Sequence, residues 1–441
     1  LGNLNDAISA RSVPPSASGS HPIRHVVLMI QENRSFDNLF ATFPGAEGST
    51  QGKTSDGRTI KLRAADLSEP CDFGHSWQGF LRDYDAGAMD GFDLETGSRG
   101  CSGRVGTAPY QFVKPAEIES YWDLASRYVL SDHMFQTQGS GSFTAHQDLI
   151  RGGTDVDPAD SLVDYPSAKP WGCDAPRRPK TVTSLLRGPG ITVHAHVQLR
   201  YLLGAGPYPC LSYVTLRDRL DAKAVSWAYY SPPVPYNVGA YWNAFDAIKA
   251  VRYGPEWSRN VKATKTFFSD VSKGSLPAMS WLVPDETNSD HPGSGSDTGP
   301  AWVANVVNSI GKSKYWKSTA IVVVWDDWGG FYDHVRPPFF DNSGGLGFRV
   351  PMLVVSAYTR RGHSGNGGYV SHTRYEFGSI LRFVEDEFGL NRLYTTDARA
   401  ASIVDCFDFT QPARPFSPIP SRYSRAFFER QPPSYKPVDS E

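Results

Sequence analysis

The sequence predicts an α/β fold: a mostly parallel central sheet, helices on both faces, and long loop excursions over one active edge. Three observations carry this. Short apolar runs alternate with amphipathic stretches through most of the 441 residues, the pattern of strands joined by crossover helices. Several runs, above all residues 320–324, are apolar at every position, as strands buried on both faces are. Residues able to do chemistry fall just past the ends of such runs, where open α/β sheets place their ligand sites.

Residues 1–20 are rich in Ser, Pro and Gly and are expected to form a flexible arm. Residues 21–411 are expected to be one elaborated domain, because no interior linker divides them. Residues 412–441 are Pro and Ser rich and read as a tail wrapped over the surface.

The first buried strand, residues 25–30, closes on Glu32 and Asn33, with Ser35 or Asn33 placed to cap the next helix. Residues 44–110 lack apolar periodicity and read as an excursion over the active edge. It holds His75, a candidate ligand-facing imidazole; a surface histidine held by backbone is the equal alternative. A helix over residues 116–128 and a short strand follow. Then Gly139-Ser140-Gly141-Ser142 opens a helical run. Ser142 therefore sits at a helix N-terminus, where free N–H groups and the dipole favour an anion, and it is the best nucleophile candidate. Thr144-Ala145 after it excludes a Gly-x-Ser-x-Gly elbow.

Residues 155–215 form a second, Pro-rich excursion. Beyond it come a helix (216–220), a strand (225–230), a helix (241–253) and a strand (278–283) that runs into Asp290-His291. A helix (302–310) leads to the strand 320–324, which stops at Asp326-Asp327-Trp328-Gly329-Gly330. A strand (350–356) and a long amphipathic helix (371–390), with His372 in its capping region, complete roughly seven strands in all. His194 and His196 alternate on a strand-like stretch with no carboxylate nearby, which argues against a metal pair.

Composition is that of a globular chain: 40% hydrophobic and 20% charged. A net charge of −2 gives no basic surface for nucleic acid. No apolar run approaches the roughly 20 residues of a membrane span, so no transmembrane segment is expected. Among five cysteines, Cys71 with Cys101 and Cys173 with Cys210 would each close a loop-rich excursion. Two such disulfides point to export. The expected location is secreted or periplasmic, with a signal peptide removed before Leu1.

Together these residues make a set suited to phosphoryl transfer. Glu32, Asp326 and Asp327 can hold one divalent metal ion, which would activate the Ser142 hydroxyl. Asn33 can donate to a phosphoryl oxygen. Asp290-His291 and His75 stand where the phosphoryl group would bind, with one histidine protonating the leaving alcohol. His146, one turn beyond Ser142, and His334, after the double glycine, read as supporting groups or as packing.

Residues 31–37, Gly74-His75-Ser76-Trp77, Met89-Asp90-Gly91-Phe92, Ser289-Asp290-His291-Pro292, residues 325–335, Gly347-Phe348-Arg349-Val350-Pro351 and Tyr369-Val370-Ser371-His372 resemble the phosphoesterase family of bacterial acid phosphatases and non-specific phospholipases C. The resemblance implies an alkaline-phosphatase-like fold, a Ser or Thr nucleophile, and a metal site of Glu32, Asn33, Asp326 and Asp327 with Ser142. Many members have Pro-Asn where this chain has Thr144-Ala145, which keeps Ser140 and Thr144 as alternative nucleophiles. The expected substrate is a phosphoester small molecule or a phospholipid, the latter met in transient contact with a membrane surface. Phospholipase C-type diester cleavage leads. Acid-phosphatase-type monoester cleavage is the alternative, and a catalytically inactive binding protein on the same fold the second. Metal identity (Ca, Zn, Mg, Mn or Fe) stays open.

Overall fold

The most apolar runs of the chain pair with one another at the centre of an eight-stranded sheet. The computed structural model describes residues 21–187, 202–234, 238–338, 345–362, 367–432 and 434; His194, His196 and the arm 1–20 lie outside them. The strands are β1 (His25–Gln31), β2 (Val129–Ser131), β3 (Trp227–Ser231), β4 (Val261–Ala263), β5 (Met279–Leu282), β6 (Thr319–Trp325), β7 (Met352–Ser356) and β8 (Tyr369–Ser371). Their order is β4-β3-β5-β1-β6-β7-β2-β8. Only β7 runs antiparallel to its neighbours; all other pairings are parallel. Successive residues of β6 point to opposite faces, yet all of them are buried, so both faces of the sheet are covered.

The helices that position the site are α1 (Phe36–Phe40), α2 (Trp77–Tyr84), α3 (Glu119–Arg127), α4 (Ser142–Arg151), α5 (Gly299–Gly311) and α6 (Phe377–Phe388). Ser35 caps α1, its hydroxyl accepting from Asn38 N at 3.2 Å and donating to Tyr332 O at 2.7 Å. Two expected helices differ. Residues 241–253 break into short turns because Asn243 leaves helical geometry and its side chain accepts from the Phe245 and Asp246 amides. The last long helix begins at Phe377, capped by Glu376 and Ser379. His372 lies before it and instead meets Asp132 at 2.8 Å. The short edge strands β4 and β8 carry no alternating pattern long enough to read.

The first excursion builds a small core of its own. Trp77, Phe80, Tyr84, Met89 and Phe92 pack around Trp328, Tyr332 and Phe348, and Trp328 Nε1 donates to Asp83 at 3.1 Å. These rings fasten the excursion onto the end of β6. Disulfides join Cys71 to Cys101 and Cys173 to Cys210, and Cys406 is a buried free thiol. Beyond residue 412, Ile419 and Phe428 are buried. Asn305 and Asn308 of α5 donate to the Tyr423 and Ile419 carbonyls, fastening this stretch to the helix.

Candidate active site

β1 and β6 pair in register, Gln31 opposite Trp325, so the residues just beyond them leave the sheet side by side. Asp326 N donates to Gln31 O at 2.9 Å and Arg34 N to Asp327 O at 2.9 Å. The Asp326 carboxylate accepts from Asn33 N at 3.0 Å and Asp327 N at 2.8 Å. Glu32 N reaches across to Ser289 O, beyond β5, at 2.8 Å. Three adjacent strand ends thus converge at the carboxyl edge, as the sequence predicts.

Asn33 holds a left-handed backbone (φ 57°), a conformation that asparagine tolerates better than most residues. Its side chain is a hub. Nδ2 lies 3.1 Å from His75 Nε2 and 3.2 Å from His291 Nε2, and Oδ1 accepts from Ser142 Oγ at 3.4 Å. His75 Nδ1 is 2.7 Å from Phe73 O and His291 Nδ1 is 2.6 Å from Pro292 O. A carbonyl only accepts, so each Nδ1 carries its hydrogen. The neutral rings then turn an Nε2 lone pair toward the two hydrogens of the Asn33 amide. Ser142 Oγ also meets Asp327 Oδ2 at 3.2 Å. Ser142 is the first residue of α4. It reaches this point because Gly141 passes against the Tyr165 hydroxyl, which would lie 2.4 Å from a Cβ there.

Beside this group lies a second one. Glu32, His146 and Asp326, all buried, each bring one ligand atom within 4.8 Å of the other two, and His146 Nε2 lies 3.0 Å from Glu32 Oε1 and 3.7 Å from Asp326 Oδ2. Burial lowers the His146 pKa to about 4, against the opposing pull of Asp326, so the ring is neutral, its metal-binding form. Asp326 Oδ2 has no hydrogen-bond partner among the described residues. Two carboxylates, a neutral imidazole and an unsatisfied buried oxygen fit a divalent cation. His146, expected as support, stands with Glu32 and Asp326 in the group that could hold a metal ion. Asp327, expected as a ligand, faces Ser142 and lies 3.9 Å from His75.

Two expectations need correction. The Asp290 carboxylate accepts from Tyr121 at 2.6 Å and Trp325 at 3.2 Å, and its carbonyl accepts from Arg34 at 2.9 and 2.7 Å. Burial raises its pKa to about 6. It braces the loop that carries His291, and its negative charge would repel a phosphoryl oxygen. His334 does not support the cation-binding group. It meets Asp37 at 2.6 Å, in a cluster where buried Arg349 binds Asp333 at 2.9 Å and Asp37 at 3.3 Å. That guanidinium already balances carboxylate charge there.

Sequence reasoning missed Trp242. Its ring stacks on both His146 (centroids 6.3 Å apart) and His291 (5.6 Å), and so fixes the two imidazoles relative to each other. An aromatic inside an apparent helix gave no signal beyond core packing. Ser140, an alternative nucleophile, accepts from Asp164 N at 2.7 Å, and Thr144 donates to Gly141 O at 3.1 Å; both hydroxyls have local structural partners.

The phosphoesterase family model matches residues 23–391, a span that includes every residue of both groups. The chain is 26% identical to phospholipase C B of Mycobacterium tuberculosis, over 90% of this chain and 80% of that protein. It is 25% identical to a non-hemolytic phospholipase C of Burkholderia pseudomallei, over 94% of this chain and 63% of that protein. Among solved structures, an alkaline phosphatase superfamily protein from Vibrio parahaemolyticus matches at 10% identity and a TM-score of 0.39, over 89% of this chain and 73% of that one. With the matched span running from the first central strand past the last long helix, the chain belongs to the phosphoesterase family.

Proposed function

We propose that the protein hydrolyses phosphoric esters by double displacement through Ser142, with phospholipase C-type cleavage of a phospholipid or related diester as its principal reaction. The observation that carries this is the convergence of one hydroxyl, one amide and two imidazole nitrogens on a single buried point. Ser142 Oγ lies 3.4 Å from Asn33 Oδ1, and both histidine Nε2 atoms lie within 3.2 Å of Asn33 Nδ2.

In the first step Ser142 Oγ forms a bond to phosphorus and the bond from phosphorus to the leaving alcohol breaks. Asp327, 3.2 Å from the hydroxyl, takes the serine proton. The negative charge of a bound ester favours imidazolium, so both rings, neutral in the free protein, take a second proton on Nε2 when it binds, and one of them gives that proton to the departing alkoxide. Water then attacks the phosphoserine with the same groups in reversed roles. Asn33 Nδ2 and the histidine Nε2–H groups bind the equatorial oxygens, where negative charge collects. Glu32, His146 and Asp326, with Asp327 and Asn33 alongside, would hold a divalent cation. Bound there, the cation would act as a Lewis acid that lowers the serine pKa and neutralises phosphoryl charge.

The family resemblance to phospholipases C supports a diester substrate; acid-phosphatase-type monoester cleavage uses the same groups. The two disulfides support an oxidising location, secreted or periplasmic. No helix among the described residues is long and apolar enough to cross a membrane, so a lipid substrate would be met at a membrane surface. The test is product analysis with divalent metal supplied. Diacylglycerol released from phosphatidylcholine supports the diester reading, and phosphate from an aryl phosphate alone supports the monoester one. Release of neither product would refute phosphoester hydrolysis. Ser142→Ala should remove turnover with the circular dichroism spectrum unchanged; retained turnover would move the nucleophile elsewhere.

A further inference from the structure

A group of titratable side chains surrounds the loop 42–50, where the first excursion leaves α1. The loop turns back on the end of α1 so closely that a Cβ on Gly48 would stand 2.4 Å from Ala41 O. Its backbone is held at three points. Glu47 N donates to Asp132 Oδ2 at 2.8 Å and Ser49 N to Asp37 Oδ1 at 3.0 Å. The Glu47 carbonyl accepts from Arg349 Nη1 at 2.8 Å. Three of the carboxylates here also meet a histidine. His334 Nδ1 lies 2.6 Å from Asp37 Oδ2, His372 Nδ1 2.8 Å from Asp132 Oδ2, and His133 Nε2 2.7 Å from Glu47 Oε2. β2 and β8 end side by side, Ser131 opposite Ser371, so the segments that carry His133 and His372 leave the sheet together.

The charges do not balance while the histidines are neutral. Arg349 is buried and binds Asp333 at 2.9 Å and Asp37 at 3.3 Å, and it donates to Asp132 O at 2.9 Å. It is the one permanent cation that these contacts give to the carboxylates of Asp37, Glu47, Asp132 and Asp333, which leaves three negative charges uncompensated. Asp37, Asp132 and Asp333 are buried, where like charges repel with little screening. Protonation of the three histidines supplies one positive charge to each remaining carboxylate. The histidines can take up protons because each reaches water: the His133 and His334 side chains are 26% exposed and that of His372 is 62% exposed. Exposure also ranks them. An exposed pair is screened by solvent, so His334, on wholly buried Asp37, carries most of the effect.

We propose that His334, with His133 and His372, makes this cluster an acid-closed clasp: protonated, the three rings hold the loop 42–50 against Asp37, Asp132 and Arg349, and neutral, they leave the carboxylates to repel one another and the loop to loosen. Burial pulls the His334 pKa down, but the hydrogen bond and charge of Asp37 and the charge of Asp333 outweigh it against the opposing charge of Arg349, and the value stands above the ordinary one. Burial and the neighbouring Asp333 push Asp37 up. Both shifts have the same sign: the stabilisation is full at acid pH and is lost as pH rises through the raised His334 value. The clasp closes the root of the excursion that carries His75, and α1, which carries Asp37, directly follows the turn that holds Asn33.

The test is hydrogen–deuterium exchange of the whole protein at about pH 5.5 and about pH 8, either side of the ordinary histidine value, with rates corrected for the intrinsic effect of pH. The Glu47 and Ser49 amides, bonded to the clasp carboxylates, report directly. Their protection should fall at least about fivefold in wild type from the lower pH to the higher, while the β6 amides keep theirs. His334→Gln retains a hydrogen-bond donor and never the charge, so it should show the lower protection at both pH values. Glu47→Gln removes one carboxylate from a largely exposed position and should shrink the pH dependence of the Ser49 amide. The readout is exchange and not turnover, so it does not depend on the phosphoesterase reading. Protection independent of pH in wild type, an equal pH dependence in all three proteins, or a matching fall in β6 would overturn the proposal.

Discussion

Asn33 uses each polar atom of its amide at once, on His75, His291 and Ser142. Replacing it with glycine keeps the left-handed backbone at no steric cost and removes only the amide. Asn33→Gly should lower kcat for phosphoester hydrolysis by about 10²–10³, the scale of losing one charge-stabilising donor, with folding preserved. A loss below tenfold would remove the amide from the mechanism. Asp290 makes a different prediction. Its folded pKa is raised to about 6 by burial, so the native state holds its proton more tightly than the unfolded chain. The stability this contributes is present below the unfolded value and is lost as pH rises through about 6. Urea denaturation from pH 4 to 7 should show wild type losing stability relative to Asp290→Asn across that window, by about 3 kcal/mol at most. Parallel curves would refute it. At this scale Glu32, Asn33, Ser142, Asp326 and Asp327 were legible because each directly follows a strand or opens a helix. His146 was read only as support, since helical spacing does not say which wall a ring faces. The role of Trp242 depends on a helix break that periodicity does not report.

The elements fix the site through close backbone contacts more than through side chains. β1 and β6 leave the sheet together, and the turn after β6 folds back over the turn after β1. Gly329 makes this approach with φ 58°, and a Cβ there would stand 2.4 Å from Asn33 O. Both the left-handed angle and the contact exclude a side chain. Gly329→Ala should therefore push the Asn33 backbone aside, cutting turnover by at least tenfold while costing about 1–2 kcal/mol of stability. Urea midpoints and steady-state rates on the same samples test this, and unchanged turnover would show that the two turns are not coupled. The central strands were legible because four or more consecutive apolar residues leave little alternative to a strand covered on both faces. The reversed direction of β7 was not, because strand composition does not encode polarity. The short strands β4 and β8 fell below the length at which alternation can be seen.

At the scale of the whole molecule, the two cysteine-bearing excursions have unequal bearing on the site. The Cys71–Cys101 bond spans 30 residues and the Cys173–Cys210 bond 37, so loop-closure entropy alone gives each about 4 kcal/mol. Stability therefore does not distinguish them; position does. Cys71 precedes the pair Asp72–Phe73, which joins Thr96–Arg99 in a small sheet. His75 hangs from that sheet by its bond to Phe73 O at 2.7 Å. The rings around Trp328 hold one side of this excursion and the disulfide holds the other. The second disulfide holds no residue of the site directly; its excursion meets the site through Trp171, whose ring packs on Phe143 (5.8 Å) and Tyr241 (5.0 Å), the neighbours of Ser142 and Trp242. Replacing both Cys71 and Cys101 with serine should thus lower the urea midpoint and also impair hydrolysis, with kcat falling at least fivefold as His75 loses its fixed register. Replacing Cys173 and Cys210 should give a comparable loss of stability with kcat within about twofold of wild type. The comparison is made at a temperature where both variants remain folded by circular dichroism. Equal effects on kcat would mean that the disulfides act on the fold as a whole, and that the aromatic packing around Trp328 suffices to hold His75 in place.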